Sequence, residues 1–132
     1  MLELKALTNL SISMFKERYN SFKYAFAGIL ELMVTQPNAK LHVFTAICVG
    51  VLGWYFGLTA TEWAVIALTI AVVIAAEAFN TSLEYLTDLV SPDHHPLAGK
   101  VKDLAAAGVL ITALGAAAVG LIIFLPKIMT LL

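Results

Sequence analysis

Early in the chain, hydrophobic residues recur at the spacing of a single helix face. Phe15, Tyr19, Phe22, Phe26, Ile29 and Met33 follow one another at alternating steps of four and three, while Lys16, Asn20, Lys23 and Glu31 fall on other faces. The pattern predicts an amphipathic helix over about 13–34. Its aromatic and basic residues suit a membrane interface, where such a helix lies flat with one face in the acyl boundary. Thr35-Gln36-Pro37-Asn38 ends it, because Pro37 has no amide to donate and Asn38 favours turns.

Beyond this break the pattern changes from amphipathic to continuously apolar. Residues 41–58 carry no formal charge apart from the neutral-capable His42, and at roughly 1.5 Å per residue they extend about 27 Å, enough for a first membrane crossing. Trp54-Tyr55-Phe56 closes it with the aromatics typical of an interface. After a short turn, Thr59 to Glu62, a second crossing is expected over 63–90, opened by Trp63. The polar stretch Ser91 to Lys102 reads as a loop. A third crossing follows over 103–125, uncharged from Leu104 onward, with Gly108, Gly115 and Gly120 placed to allow close helix packing and with Pro126 and Lys127 ending it. The expected fold is an all-α membrane protein: one domain, residues 1–132, with an N-terminal surface helix and three transmembrane helices.

Composition agrees with this reading. Of 132 residues, 61% are hydrophobic and 13% charged, and the mean hydropathy is +0.90, more apolar surface than a water-soluble fold of this size can hide. The net charge of -1 gives no basic surface for nucleic acid, so no nucleic-acid partner is expected. Cys48 is the only cysteine, which excludes an intrachain disulfide or a thiolate metal cluster and leaves a small packed hydrophobe as its expected role. Charges scattered through the first forty residues argue against a cleaved signal peptide. Lys5, Lys16, Arg18, Lys23 and Lys40 precede the first crossing, Lys100 and Lys102 lie in the second loop, and the first loop has no basic residue. This distribution predicts a cytoplasmic N-terminus and a cytoplasmic second loop in a multi-pass protein of the cell's inner membrane, with Lys127 as the one opposing charge.

Candidate chemistry sits on the second crossing. Glu77, Asn80, Thr81, Glu84 and Asp88 stand at offsets of zero, three, four, seven and eleven, which places them on one stripe of a helix. A carboxylate in a membrane span costs roughly 2.5 to 3.5 kcal/mol on insertion scales, so such residues point to function before structure. A helix-end pairing with Lys100 or Lys102 accounts well for Asp88, less well for Glu84 and poorly for Glu77. The direction of the helix puts Glu77 deeper than Glu84 by roughly 10 Å. A deep carboxylate meets a lipid head group and a shallow one meets a metal-bound phosphate, the division that phosphoryl transfer needs. Asp93, His94, His95, Lys100, Lys102 and Asp103 gather within eleven residues, a cluster that fits a polyphosphate better than zinc. No Gly-rich phosphate loop of the Walker or dinucleotide type is present. A non-enzymatic or transport-type helical bundle using Glu77 as a proton site is the reading from a different class.

The run Glu77-Ala78-Phe79-Asn80-Thr81-Ser82-Leu83-Glu84-Tyr85-Leu86-Thr87-Asp88, followed by His95-Pro96-Leu97-Ala98 and Lys102-Asp103, resembles the signature of the prokaryotic diacylglycerol kinase and undecaprenol kinase family. The resemblance covers nearly the whole chain. It implies an ATP- and Mg2+-dependent lipid kinase acting on a lipid alcohol, assembled as a homotrimer with sites shared between subunits. By matching position it makes Glu77 the catalytic base and Glu84 a metal ligand, with Asn80 and Asp88 as supporting polar residues and Asp93, His95, Lys102 and Asp103 as nucleotide contacts. Asn38, Lys40 and His42 match the polar start of the family's first crossing. Gln36 stands where many members have a second metal-binding glutamate, and its neutral carbonyl is a weaker magnesium ligand. The family's nucleotide-contacting N-terminal arginine aligns near Ser13, with Lys16 and Arg18 as neighbouring cations. His42 and His95-Pro96-Leu97 look more like the undecaprenol kinases than the narrower diacylglycerol kinases.

Overall fold

The computed structural model describes residues 2–131, with side chains over 13–131. Its elements are α1 (Leu2–Thr35), α2 (Pro37–Tyr55), α3 (Ala60–Val90) and α4 (Pro96–Met129), and the described residues contain no strand. They form two compact units, Met1–Thr35 and Gln36–Leu132.

The first unit is α1 alone. Its backbone is helical from Leu2, well before the expected start near residue 13, because Leu2-Glu3-Leu4-Lys5-Ala6-Leu7 are strong helix formers. The stripe residues Phe15, Tyr19, Phe22 and Phe26 are exposed. The helix ends at the foreseen break: Gln36 is extended, and Pro37 opens α2, where a missing amide loses nothing.

In the second unit, α3 packs mainly on α4 and to a smaller extent on α2. The turn between α2 and α3 has a chemical cause at each residue. Gly57 adopts φ +62°, its amide donates to the Trp54 carbonyl at 3.2 Å, and the Leu58 amide donates to the Gly53 carbonyl at 3.0 Å. This left-handed cap stops α2 at Tyr55, three residues short of the expected 58. Thr59 then caps α3. Its Oγ1 accepts from the Glu62 amide at 3.3 Å, while the Glu62 carboxylate accepts from the Thr59 amide at 2.7 Å, so the expected turn from Thr59 to Glu62 is a capping box at the helix start. Buried Leu58, Ile66 and Phe124 form a cluster at this end, and Lys127 of α4 pairs with Glu62 at 3.0 Å.

Four further expectations change. Helix α4 begins at Pro96 and not after Lys102, so between α3 and α4 only residues 91–95 lie outside the helices; Pro96 occupies the first helical turn, the one place where its ring favours a helix. At the other end Pro126 lies within α4, which continues to Met129. Gly108, Gly115 and Gly120 have no atom within 4 Å of where a Cβ would stand, so they do not mediate close packing within the chain. Cys48 likewise is exposed, not packed.

By length and apolar composition α3 and α4 can each cross a membrane, while α2, diluted at its start by Pro37, Asn38 and Lys40, falls outside that class. Leu104 is 73% exposed and Ile122 74%. Apolar surface on this scale is untenable in water, and the chain is a membrane protein.

Gly53 lies against the indole of Trp63, and a Cβ there would come within 2.8 Å of a ring carbon. Gly53→Ala is expected to destabilise the detergent-solubilised protein by about 1–3 kcal/mol. Adding Trp63→Leu relieves part of that cost, read as a positive coupling in unfolding titrations of the single and double variants.

Candidate active site

Helix α3 carries its polar stripe into the interior of the second unit. Glu77 is the most deeply enclosed large side chain, 1% exposed, and Asn80 and Thr81 are buried beside it. Neither neighbour serves the Glu77 carboxylate. Thr81 Oγ1 donates to the Glu77 main-chain carbonyl at 3.0 Å, and Asn80 Nδ2 donates to Glu84 Oε1 at 2.9 Å. Two buried oxygens, Glu77 Oε1 and Asn80 Oδ1, are left without a hydrogen bond. His42 Nε2 of α2 approaches Glu77 Oε1 to 3.1 Å, within reach of a hydrogen bond but without forming one.

A cavity of about 360 Å³ opens between α2, α3 and α4, with His42 in its wall and otherwise chiefly apolar residues, among them Leu41, Val49, Ile70 and Ala116. A second, polar cavity of about 520 Å³ lies at the α3–α4 turn, lined by Asp88, Asp93, His95, Lys100, Lys102 and Asp103 among others. Lys102 Nζ sits 2.5 Å from Asp88 Oδ1. His95 caps α4: its Nδ1 accepts the Leu97 amide at 3.1 Å, which leaves Nε2 to carry the proton of the neutral ring. Ser91 Oγ donates to the Asp93 carbonyl at 3.2 Å and orders the short turn. The two centres are eleven residues apart on α3, from Glu77 to Asp88, a rise of roughly 16 Å.

Residues 23–124 match the family described as prokaryotic diacylglycerol kinase. The chain belongs to the prokaryotic diacylglycerol kinase family. It is 38% identical over 110 residues to the undecaprenol kinase of Bacillus subtilis, covering 83% of this chain and 89% of that protein. It is 40% identical over 113 residues to a diacylglycerol kinase of Synechocystis, covering 85% of this chain and 65% of that protein. A diacylglycerol kinase of Helicobacter pylori is 29% identical over 97 residues, covering 74% of this chain and 76% of that protein.

Membership in this lipid kinase family gives the stripe its chemical context. The structure brings Glu77 and His42 together, Asn80 and Glu84 together, and Asp88 to Lys102, with Asp93, His95 and Asp103 around the polar cavity. Gln36 is the half-buried N-cap of α2, and Asn38 and Lys40 are exposed in its first turn; none of the three lines either cavity. The structure adds Ser91 and Lys100 to the lining of the polar cavity. Lys100 is visible beforehand as a member of the charge cluster, whereas nothing in the sequence marks Ser91.

The Asp88–Lys102 pair is solvent-accessible on both sides, at 62% and 38% of the side chains, so it is a poor structural staple. Asp88→Asn, Lys102→Met and the double variant are each expected to lower stability by under about 1 kcal/mol, measured by unfolding in detergent. A larger loss shows that the pair holds α3 to α4.

Proposed function

We propose that this protein phosphorylates the primary hydroxyl of a membrane lipid alcohol, undecaprenol or diacylglycerol, with ATP as donor and Mg2+ as cofactor, at the cytoplasmic face of the inner membrane. The observation that carries the reading is Glu77: a carboxylate 1% exposed, inside the family's motif, with an oxygen that no protein group satisfies. A group so placed is held ready for a proton that arrives with a substrate.

The two cavities divide the reactants by polarity. The apolar one beside His42 suits the hydrocarbon of the alcohol and brings its hydroxyl toward Glu77. The polar one, with Lys100 and Lys102 among its cations and the Nε2 face of His95, suits a polyphosphate. Glu77 takes the hydroxyl proton as the alcohol oxygen bonds to the γ-phosphorus. The bridging P–O bond opens at the same centre, and its electron pair leaves with ADP.

The residues fit a magnesium ion that keeps part of its water shell. Among the described residues no three His, Cys, Asp or Glu side chains converge to cage a metal, whereas Glu84 is oriented through one oxygen by Asn80, which leaves the other for a cation shared with phosphate. Glu84 would be its protein ligand, with the Gln36 carbonyl as a weaker second one. Held there, the ion would supply positive charge to offset what builds on the phosphate oxygens. The charge bias of the chain supports a cytoplasmic N-terminus, and the pairing of Lys127 with Glu62 balances the one opposing charge locally. Three crossings by α2, α3 and α4, α1 on the membrane surface and a homotrimer with shared sites complete the proposal; exposed faces such as Leu104 and Ile122 are the surface that lipid or further copies would cover.

Detergent-solubilised protein is expected to transfer the γ-phosphoryl of ATP to at least one of the two lipids when both are assayed in parallel. Glu77→Gln lowers kcat by about 10²–10⁴-fold, the usual worth of a general base; a fully active variant removes Glu77 from the role. Gln36→Glu is expected to lower the magnesium concentration that gives half-maximal rate, since a carboxylate is the stronger ligand, and a magnesium titration of the two proteins reads this directly.

A further inference from the structure

A carboxylate as enclosed as Glu77 needs a group that holds it in a productive orientation. The neighbouring stripe residues do not, because Thr81 is bonded to main chain and the Asn80 amide donates to Glu84. Helix α4 offers nothing either. Between Asp103 and Lys127 it has no titratable side chain, and where it borders the apolar cavity it presents Ala113, Ala116, Ala117 and Gly120. On α2 the donor within reach of Glu77 is His42, with Nε2 3.1 Å from Oε1. Lys40, two residues earlier, is exposed and Glu77 is 1% exposed.

Resting on the reading above, we infer that His42 is the positioning residue of Glu77. Its Nε2–H turns into line with Oε1 when the lipid hydroxyl arrives and fixes the carboxylate for proton removal. Three observations carry this. The two groups already stand within hydrogen-bond reach although no hydrogen bond is formed, and catalytic hydrogen bonds commonly tighten only once substrate is bound. The His42 ring is 21% exposed while the Glu77 side chain is 2%, so the ring keeps the room to turn that the carboxylate lacks. The ring also lines the apolar cavity, so a hydrocarbon chain held there lies against the group that sets the base. His42 does not touch the phosphates or the reacting oxygen; it acts through Glu77.

The test is steady-state kinetics of the full chain in detergent, with ATP and with whichever lipid the wild type phosphorylates. His42→Ala is expected to lower kcat by about 10–100-fold while KM for ATP and for lipid stays within about threefold, the pattern of a lost orienting contact. His42→Gln places an amide nitrogen where Nε2 stood and is expected to recover at least roughly a third of the wild-type kcat. Unchanged kcat in His42→Ala overturns the inference, and so does a raised lipid KM with kcat preserved, which makes the ring a cavity wall only. Thermal unfolding of both variants is followed alongside. If His42→Ala does not fold, His42→Gln decides: a folded variant below about a tenth of wild-type kcat overturns the inference. Wild-type protein inactive with both lipids defeats the kinase proposal instead, so the two failures are distinct.

Discussion

A carboxylate inside an apolar helix pair is the constraint from which the rest of the second unit follows. At 1% exposure Glu77 is shut off from bulk solvent, and desolvating an ionised group costs several kcal/mol unless partners compensate. Helix α3 therefore runs between two others. On one side α4 seals it with small and aliphatic residues, and on the other α2 brings in the imidazole of His42. The neighbouring polar groups are turned to their own tasks, Thr81 toward the backbone and Asn80 toward Glu84, which keeps the Glu77 carboxylate out of an internal network. A residue present only for stability would be expected to have its lone pairs satisfied.

Along the same helix the environment changes from dry to wet, and the roles of the acids change with it. Glu77 is enclosed, Glu84 is half-buried and held through one oxygen, and Asp88 is exposed and faces Lys102. On the kinase reading proposed above, burial divides their tasks: the first would receive a proton and the second would share a cation, while the third pairs with a lysine at the rim of a polar cavity. The rim is firm. Lys100, Lys102 and Asp103 stand on α4, which Pro96 and the His95 cap start early, so the polar cavity is bounded by helix and by a five-residue turn and not by a long loop.

Local pattern made part of this legible in the sequence. The stripe from Glu77 to Asp88 follows from helical periodicity, and the break at Gln36-Pro37 from the chemistry of proline; both stand in the structure. The start of α4 was hidden because its first turns are polar, and polarity outweighed the signal of proline at a helix start. Pro126 misled in the reverse sense, since a proline near the end of a helix need not stop it. Contacts between helices were out of reach altogether. His42 and Glu77 are thirty-five residues apart, and Asp88 and Lys102 fourteen, separations at which no periodicity links one residue to another. The close approach of Gly53 to Trp63 depends on how two helices cross, and composition does not record it.

The length of the helices has a consequence of its own. At 31 and 34 residues, α3 and α4 measure roughly 46 and 51 Å, well beyond the hydrocarbon thickness of about 30 Å. Glu77 and the rim of the polar cavity are thus fixed points on continuous rods, with an axial separation that the bilayer does not set. In a thicker or thinner membrane the rods tilt or the lipids stretch, but the two points keep their spacing. The protein is a ruler standing in the membrane, and on the proposed kinase reading bilayer thickness would govern how far a lipid head group must rise or sink to reach the mark.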